Sequence, residues 1–224
     1  MSSAILARVG RHKQLYENGF RLVAGCIPYR LKPEGTDLIY RLEVLMISTP
    51  KRHDLVFPKG GWENDETVCE AAIREALEEA GVEGILNQET KLGEWTFRSK
   101  SRQSSSSNEG ACKGYMFALE VKKEHEFWPE QSTHKRTWVS VRDASRLCRY
   151  PWMREALASC LELLSESHSS EIERSSSATK RENDVSEPSS YYRSRENDIS
   201  EPSKSNYYFN VNPTAPERAI DAIC

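Results

Sequence analysis

The stretch that decides the fold reads Gly60-Gly-Trp-Glu-Asn-Asp-Glu66-Thr-Val-Cys-Glu-Ala-Ala-Ile-Arg74-Glu75-Ala-Leu-Glu78-Glu79-Ala-Gly81-Val82. Its second half has helical spacing and predicts a helix from Glu66 to Ala80, with Gly81 as the C-terminal cap. At about 100° per residue, Glu75, Glu78 and Glu79 fall within one arc, and apolar side chains fill the opposite arc. The helix is therefore expected to bury one face and to present three carboxylates on the other.

Three carboxylates on one arc indicate a cation site. They repel one another, and a hard divalent cation that prefers oxygen ligands removes that repulsion. The spacing predicts that Mg²⁺, with Mn²⁺ as a substitute, bridges protein carboxylates and a polyphosphate, while a remaining carboxylate activates the attacking water. Ala71 and Ala72, beside the arc, are expected to leave room for cation and substrate. A solvated acidic face is the alternative, but a chance match to the full pattern is on the order of one in a billion.

Four other positions of the stretch are expected to support the site. Glu66 and Arg74 have opposite charges and are predicted to form a salt bridge that fixes the loop against the helix. Gly60 and Gly61 are predicted to allow a tight turn that exposes backbone carbonyls toward the cation.

The stretch resembles the Nudix box, G-x5-E-x7-R-E-U-x-E-E-x-G-U, at all of its positions, with Ala76 as the one soft match. The resemblance implies the Nudix fold, an α/β (mixed α+β) class in which a mixed sheet is sandwiched between helices. It also implies hydrolysis of a nucleoside diphosphate linked to another moiety, or of a close analogue. By position, Glu75 and Glu79 would be the principal metal ligands, with the Lys59 carbonyl as a backbone ligand. Glu78 would be the general base or a further ligand, and Glu75 stays open as a second catalytic candidate.

Apolar runs outside this stretch predict a mixed α+β or α/β layered domain. Two runs, Leu22–Tyr29 and Leu38–Ile47, flank a turn-rich segment and predict a hairpin. Further strands are predicted at Leu55–Phe57, Leu92–Phe97, Tyr115–Val121 and Thr137–Val141. The serine run 104–107 is predicted to be a loop, and Pro151–Leu164 a second helix.

The composition divides the chain into three parts. Residues 1–17 are expected to form an N-terminal arm, residues 18–164 the folded domain, and residues 165–224 a disordered tail. The tail is rich in serine and poor in aliphatic residues, so it cannot bury enough apolar surface to offset its ordering entropy. Within it, the segment that starts at Arg181 recurs 14 residues later as the segment that starts at Arg195.

The overall composition is that of a soluble protein without a general affinity for nucleic acids or membranes. Hydrophobic residues make up 38%, charged residues 29%, and the net charge is −3. Six cysteines without a C-x-x-C pair indicate reduced thiols of an intracellular protein. Cytoplasm and nucleus are therefore the expected compartments. A mitochondrial location is the alternative, because the first sixteen residues include Arg8, Arg11 and Lys13 but no acid.

The surroundings of the box are similar to the diphosphoinositol polyphosphate phosphohydrolase subgroup, especially its plant members. The resemblance rests on segments that begin at Asn18, Phe57, Trp128, Lys135 and Cys148. A highly anionic substrate also fits the basic residues that border the box, since each phosphate requires charge-assisted hydrogen bonds. Ordinary surface cations are the alternative for each of them. The candidates are Arg21, Lys51, Arg52, Lys59, Arg98, Lys100, Arg102, Lys135 and Arg136.

Three functions are compatible with these patterns. The first is a Mg²⁺-dependent hydrolase of diphosphoinositol polyphosphates and diadenosine polyphosphates. The second is a broader nucleotide pyrophosphatase acting on ADP-ribose or NADH, or an mRNA-decapping hydrolase, the one case with a nucleic-acid partner. The third is a polyphosphate-sensing binding module, which would not need all three glutamates. The expected partner is a polyphosphorylated small molecule, and the protein is expected to be a monomer. Trp62, Trp95 and Trp138 are expected to be packing residues rather than a platform for a base.

Overall fold

A computed structural model describes residues 6–33, 37–50, 52–98 and 110–182 of the chain. The chain divides into two units: the first holds the described residues up to Ser170, and the second begins at Glu171. In chain order the elements are β1 (Tyr16–Glu17), β2 (Phe20–Leu31), α1 (Leu38–Arg41), β3 (Leu42–Ser48), β4 (Leu55–Val56), β5 (Lys59–Gly61), α2 (Val68–Ala80), β6 (Val82–Arg98), β7 (Ala111–Glu124), β8 (Arg136–Ser140), α3 (Val141–Leu147) and α4 (Pro151–Glu182).

The strands form one mixed sheet, as the sequence predicts. Its main order is β4-β3-β2-β7-β6, while β1 and β5 also pair with β2, and β8 pairs with β3. The pairing of β2 with β7 is parallel, and the other pairings are antiparallel. Since β2 and β3 are antiparallel neighbours, the predicted hairpin is confirmed. Through its pairing with β5, β2 holds the start of the box on the sheet.

Helix α2 is fixed at both ends by local sequence. Thr67 is the N-cap: its hydroxyl accepts from the Glu70 N–H at 3.2 Å, and the Glu70 carboxylate accepts from the Thr67 N–H at 2.7 Å. The helix therefore begins at Val68, two residues after the predicted start at Glu66. Gly81 ends it with φ of +64°, a left-handed conformation that favours glycine.

Several predicted element boundaries were wrong. Leu38–Arg41 is a helical turn rather than strand, because the Asp37 carboxylate accepts from the Ile39 N–H and caps it. The strand predicted from Leu92 begins at Val82, and β6 has register shifts next to its polar centre. Ser140 caps the unpredicted helix α3, so Val141 is helical and β8 ends one residue earlier.

The C-terminal helix is longer than predicted. It begins at Pro151, as expected, but continues to Glu182 instead of ending at Leu164. The sequence predicted a disordered tail from residue 165, but in the structure its first eighteen residues, 165–182, continue helix α4. The rest of the tail, with almost all of the repeat, lies outside the described residues, as do the serine loop, Lys51, Lys100 and Arg102.

The core lies between the sheet and the helices. Its largest fully buried side chains include Phe57, Ile27, Leu45, Met116, Met153 and Leu157. Helix α4 joins the sheet through Trp152, whose ring stacks on Phe97 of β6 at 4.9 Å between centroids. The five cysteines in the described part of the chain are free thiols. No helix among the described residues is both long and apolar enough to cross a bilayer.

Candidate active site

The three glutamates of α2 lie on one side of the helix, but this side is not a solvated face. Glu75 and Glu78 are only 7% and 5% exposed, and Glu79 is half-buried. Ala71 and Ala72 are fully buried in the core and leave no space for a cation or substrate, contrary to the prediction. The helix is therefore enclosed on both sides, and its carboxylates line an interior site.

Arg74 connects the box loop to the helix. Its guanidinium forms the predicted salt bridge with Glu66 as a two-bond fork, with Nε–Oε2 at 2.9 Å and Nη2–Oε1 at 2.7 Å. The same side chain donates to Glu75 at 2.7 Å, to Glu78 at 3.4 Å and to the Gly61 carbonyl at 2.8 Å. The Arg74 guanidinium therefore holds two of the three site carboxylates in place.

Gly60 has a different role from the predicted tight turn. Gly60 and Gly61 belong to β5 and pair with β2 in extended conformation, with neither among the residues of positive φ. A Cβ built on Gly60 would lie 2.2 Å from the carboxyl carbon of Glu75. Glycine is therefore needed because the Glu75 carboxylate packs directly on the strand. The Gly61 carbonyl is bound to Arg74.

Glu79 is held by the backbone of the strand that precedes the box. Its Oε2 accepts from the Lys59 N–H at 2.8 Å. The positive charge of Lys59 acts on the Glu79 carboxyl as well, and it opposes the effect of burial on its pKa. The predicted role of the Lys59 carbonyl as a metal ligand stays a prediction.

The pKa values of the three site carboxyls are raised, which indicates that their charged forms lack sufficient positive charge nearby. Burial raises the pKa of Glu75 to about 7, although the neighbouring Arg74 lowers it. Burial likewise raises the pKa of Glu79 to about 8, and the charge of Glu75 contributes. The pKa of Glu78 is raised by the same cause. A divalent cation would favour the charged form of all three groups, so the donor set fits a hard metal ion.

A second segment, the loop between β7 and β8, completes the site and was not predicted to be part of it. Glu130 and His134 lie one helical turn apart on this loop, with the His134 Nδ1 3.1 Å from the Glu130 carboxylate. Ligand atoms of Glu79, Glu130 and His134 all lie within 4.8 Å of one another. Burial lowers the pKa of His134, which favours the neutral, metal-binding imidazole. Trp128-Pro-Glu130 stood among the resemblance segments, and this was the only sequence signal.

The loop is joined to the end of α2 by hydrogen bonds to its last carbonyls. The Glu130 N–H donates to the Glu78 carbonyl at 3.0 Å, and the Trp128 indole donates to the Glu79 carbonyl at 3.1 Å. Arg136 donates to the carbonyls of Ala80 and Gly81, both at 3.1 Å, and its guanidinium lies over the Trp128 ring at 4.4 Å. Arg136 thus caps the helix, and its role in substrate binding stays a prediction.

The other predicted substrate residues differ in their placement. Arg21 extends from β2 beside Gly61, bonded to the Gln14 side chain at 2.8 Å, and Lys59 lies next to Glu79. Arg52 forms a two-bond ion pair with Asp54, with both bonds at 2.9 Å. Lys135 is exposed after the loop, and Arg98 ends β6. The structure therefore brings Arg21 and Lys59 to the site, while substrate binding by Arg52, Lys135 and Arg98 stays a prediction.

The three tryptophans are packing residues, as expected. Trp62 donates to the Glu66 carbonyl at 3.0 Å and meets Tyr115 edge-on at 5.8 Å. Trp95 lies against Trp152 at 6.0 Å, and Trp138 packs under the guanidinium of Arg30 at 4.1 Å. They are occupied by protein contacts, and the site is defined by charged groups.

Comparison with known proteins agrees with this geometry. The NUDIX domain family model matches residues 20–160. Nudix hydrolase 12, mitochondrial, of Arabidopsis thaliana is 56% identical over 169 residues, covering 72% of this chain and 83% of the relative. Nudix hydrolase 13, mitochondrial, of the same plant is 56% identical over 172 residues, covering 73% and 85%. Among solved structures, the C. elegans Ap4A hydrolase binary complex is similar with a TM-score of 0.49 at 21% identity, covering 65% of this chain and 98% of that one.

The family match includes β2, the box helix α2 and the β7–β8 loop, which carry the site carboxylates and His134. The chain belongs to the NUDIX domain family and is a Nudix phosphoanhydride hydrolase.

Proposed function

We propose that the chain is a Mg²⁺-dependent hydrolase of diphosphoinositol polyphosphates and diadenosine polyphosphates, in which Mn²⁺ can substitute. One observation carries the metal dependence: Arg74 holds Glu75 and Glu78, the Lys59 N–H holds Glu79, and burial raises the pKa of all three carboxyls. Such a group is stable in its charged form only beside a cation.

The residues that would hold the cation are Glu75 and Glu79, with the Lys59 carbonyl as the proposed backbone ligand. Glu130 and His134 join this set, since their ligand atoms lie within 4.8 Å of Glu79. A divalent cation bound there supplies polarisation of a phosphoryl oxygen and a more acidic water. Mg²⁺ suits the carboxylates, whereas the imidazole of His134 supports Mn²⁺ as a substitute.

The chain's own residues divide the remaining work. Glu78 is the proposed base: it accepts the proton of the attacking water or orients that water in line with the phosphoanhydride bond. Glu75 is bonded to Arg74 at 2.7 Å, which fits a fixed ligand better than a proton acceptor. Lys59 and Arg21 provide positive charge beside the carboxylates, where they would bind the outer phosphates of the substrate.

The choice of substrate class rests on this charge distribution. Basic residues border the site, and its tryptophans pack against protein, so phosphate recognition is favoured over recognition of a base. The proposed substrate is therefore a small molecule with many phosphates. We also propose a mitochondrial location, because both relatives compared above are named as mitochondrial proteins and the N-terminal residues are basic. The proposed oligomeric state is a monomer.

A substrate panel tests the function. The full chain is incubated with Mg²⁺ or Mn²⁺ and inositol pyrophosphates, diadenosine polyphosphates, ADP-ribose, NADH or capped RNA. We expect the highest kcat/KM on an inositol pyrophosphate or a long diadenosine polyphosphate, and loss of turnover with EDTA. Glu78→Gln should be nearly inactive, while Glu120→Gln, a half-buried control on β7 whose carboxylate pairs with Lys122, should match the unmodified chain. Faster turnover of ADP-ribose, NADH or capped RNA would refute the substrate class.

A further inference from the structure

The described part of the N-terminal arm before β1, residues 6–15, runs along the box loop. Its backbone is joined to the loop at two points: the Leu15 N–H donates to the Trp62 carbonyl at 2.9 Å, and the Asn64 N–H donates to the Lys13 carbonyl at 2.9 Å. The arm therefore follows the loop before β2 begins, and it belongs to the surroundings of the catalytic helix.

Charged side chains attach the arm more firmly. The Arg8 guanidinium lies 2.7 Å from Glu63, 3.0 Å from Asp65 and 3.6 Å from Glu66. Lys13 adds an ion pair with Asp65 at 2.8 Å. Arg8 thus pairs with several carboxylates of the box loop. One of them, Glu66, also accepts the two hydrogen bonds of Arg74. Because these ion pairs form a network, they hold the backbone of Arg8 more firmly than an isolated surface pair would.

The held backbone reaches the proposed base. The Arg8 N–H donates to Glu78 Oε1 at 3.3 Å, while the other oxygen of Glu78 receives Arg74 at 3.4 Å. The other two carboxylates have shorter bonds: Glu75 has Arg74 at 2.7 Å, and Glu79 has the Lys59 N–H at 2.8 Å. Glu78 is therefore the most weakly held of the three in the described part of the chain, and the arm provides one of its two hydrogen bonds.

We propose that Arg8 is a positioning residue for Glu78 and that the arm contributes to the active site through this residue. The main-chain N–H of Arg8 orients the Glu78 carboxylate toward the attacking water, and the guanidinium fixes this N–H by its bonds to the box loop. This inference rests on the proposed hydrolase function with Glu78 as base. An N–H fixed in the backbone suits this role, since it loses little freedom when the bond forms.

Two substitutions at one position separate the backbone group from the side chain. Arg8→Ala keeps the N–H and removes the ion pairs, whereas Arg8→Pro removes both. We expect kcat to fall about threefold in Arg8→Ala and about tenfold further in Arg8→Pro, with KM changed by less than about twofold in either. Arg8→Lys, which keeps a positive charge, should recover part of the loss. Leu6→Pro is the control, because Leu6 is an exposed arm residue, and it should behave like the unmodified chain.

Two further measurements do not depend on turnover. Mg²⁺ affinity measured by calorimetry should be equal in Arg8→Ala and Arg8→Pro, because Glu78 is not a principal ligand. The carboxyl carbon resonance of Glu78, observed by NMR, should move most in Arg8→Pro, move less in Arg8→Ala, and stay in place in Leu6→Pro. A structural role for the arm alone would instead lower the unfolding temperature without a selective change at Glu78.

The outcomes distinguish this inference from the function on which it rests. Equal kcat values and equal Glu78 resonances in Arg8→Ala and Arg8→Pro would overturn the positioning role while leaving the hydrolase intact. A higher kcat in Arg8→Pro would also overturn it, because the arm would then be an inhibitory strap. If the unmodified chain hydrolyses no polyphosphate, the proposed function fails, and the Glu78 resonance still decides whether the arm orients that carboxylate.

Discussion

The contact between Gly60 and Glu75 allows one substitution to be worked through from the coordinates. In Gly60→Ala, the new Cβ would lie 2.2 Å from the carboxyl carbon and from both oxygens of Glu75. Ordinary contact begins at 3.4 Å, so the carboxylate must retreat by about 1.2 Å. The strand cannot absorb this shift easily, because Gly60 is paired with Ala24 of β2. The side chain of Glu75 will therefore move, and its 2.7 Å bond to Arg74 will lengthen or break.

The expected effect on catalysis is large for the addition of one methyl group. A displacement of about 1 Å at a catalytic group costs on the order of 100-fold in rate, which is about 2.7 kcal/mol of transition-state stabilisation. Stability should fall less, by about 1–3 kcal/mol, the usual range for an overpacked site. The kcat/KM of Gly60→Ala is therefore expected to fall about 100-fold while the protein stays folded.

A double-mutant cycle identifies the cause. The free energy of unfolding is measured by urea denaturation for the unmodified chain, Gly60→Ala, Glu75→Ala and the double variant. If the clash with Glu75 is the cause, Gly60→Ala will destabilise the unmodified chain but will have almost no effect once Glu75 is alanine. Steady-state kinetics with Mg²⁺ give the loss in kcat/KM. Equal destabilisation in both backgrounds, or kcat/KM within about threefold of the unmodified chain, would refute the close-packing argument.

Four further perturbations test the site. Glu79→Gln should lose Mg²⁺ affinity in calorimetry and nearly all turnover; near-normal activity would remove Glu79 from the ligand set. Mg²⁺ at 100 times its Kd should raise the free energy of unfolding by about 2.7 kcal/mol, a gain that EDTA reverses, and an unchanged Tm would contradict a folded-state metal site. Arg136→Ala removes the cap of α2 and should lower the free energy of unfolding by about 1–3 kcal/mol. It should change KM about equally for all substrates, and a KM increase confined to the most phosphorylated substrate would instead support a phosphate-binding role for Arg136. The folded-state pKa values of Glu75 and Glu79, about 7 and about 8, exceed the ordinary value of 4.5, so the metal-free folded chain binds more protons than the unfolded chain. Its stability should therefore fall as pH rises from about 4.5 to about 8, and a rise over that range in urea denaturation would contradict the raised pKa values.

The sequence predicted the chemistry of α2 well because its spacing determines which side chains share a side of the helix. Three glutamates at fixed intervals and a cap at Gly81 are local properties, and the Glu66–Arg74 salt bridge follows from charge within one segment. Burial was not predictable in this way. Ala71 and Ala72 appeared adjacent to the carboxylates on a helical projection, but β2 packs against that side and buries them.

Contacts between distant segments account for the rest. Glu130 and His134 reach Glu79 only because β7 and β8 bring their connecting loop to the end of α2, and no local pattern indicates this. Arg136 and Arg52 were reasonable candidates for phosphate binding by charge alone. The structure shows Arg136 bonded to the helix carbonyls and Arg52 to the carboxylate of Asp54, contacts that charge alone does not predict. Helix α3 was missed because its short sequence is mostly polar, and its N-cap Ser140 ends a strand.

The hydrogen bonds between the β7–β8 loop and the last carbonyls of α2 limit how such an enzyme can diversify. An insertion or deletion between His125 and Arg136 would shift Glu130 and His134 and uncap the helix that carries Glu78 and Glu79. Lengthening this loop is thus a poor evolutionary route to a new substrate, because it alters recognition and chemistry together. Change of specificity is expected instead in segments without bonds to the helix end, such as the turn around Arg52. Relatives with different substrates should therefore keep the length of the β7–β8 loop and vary elsewhere.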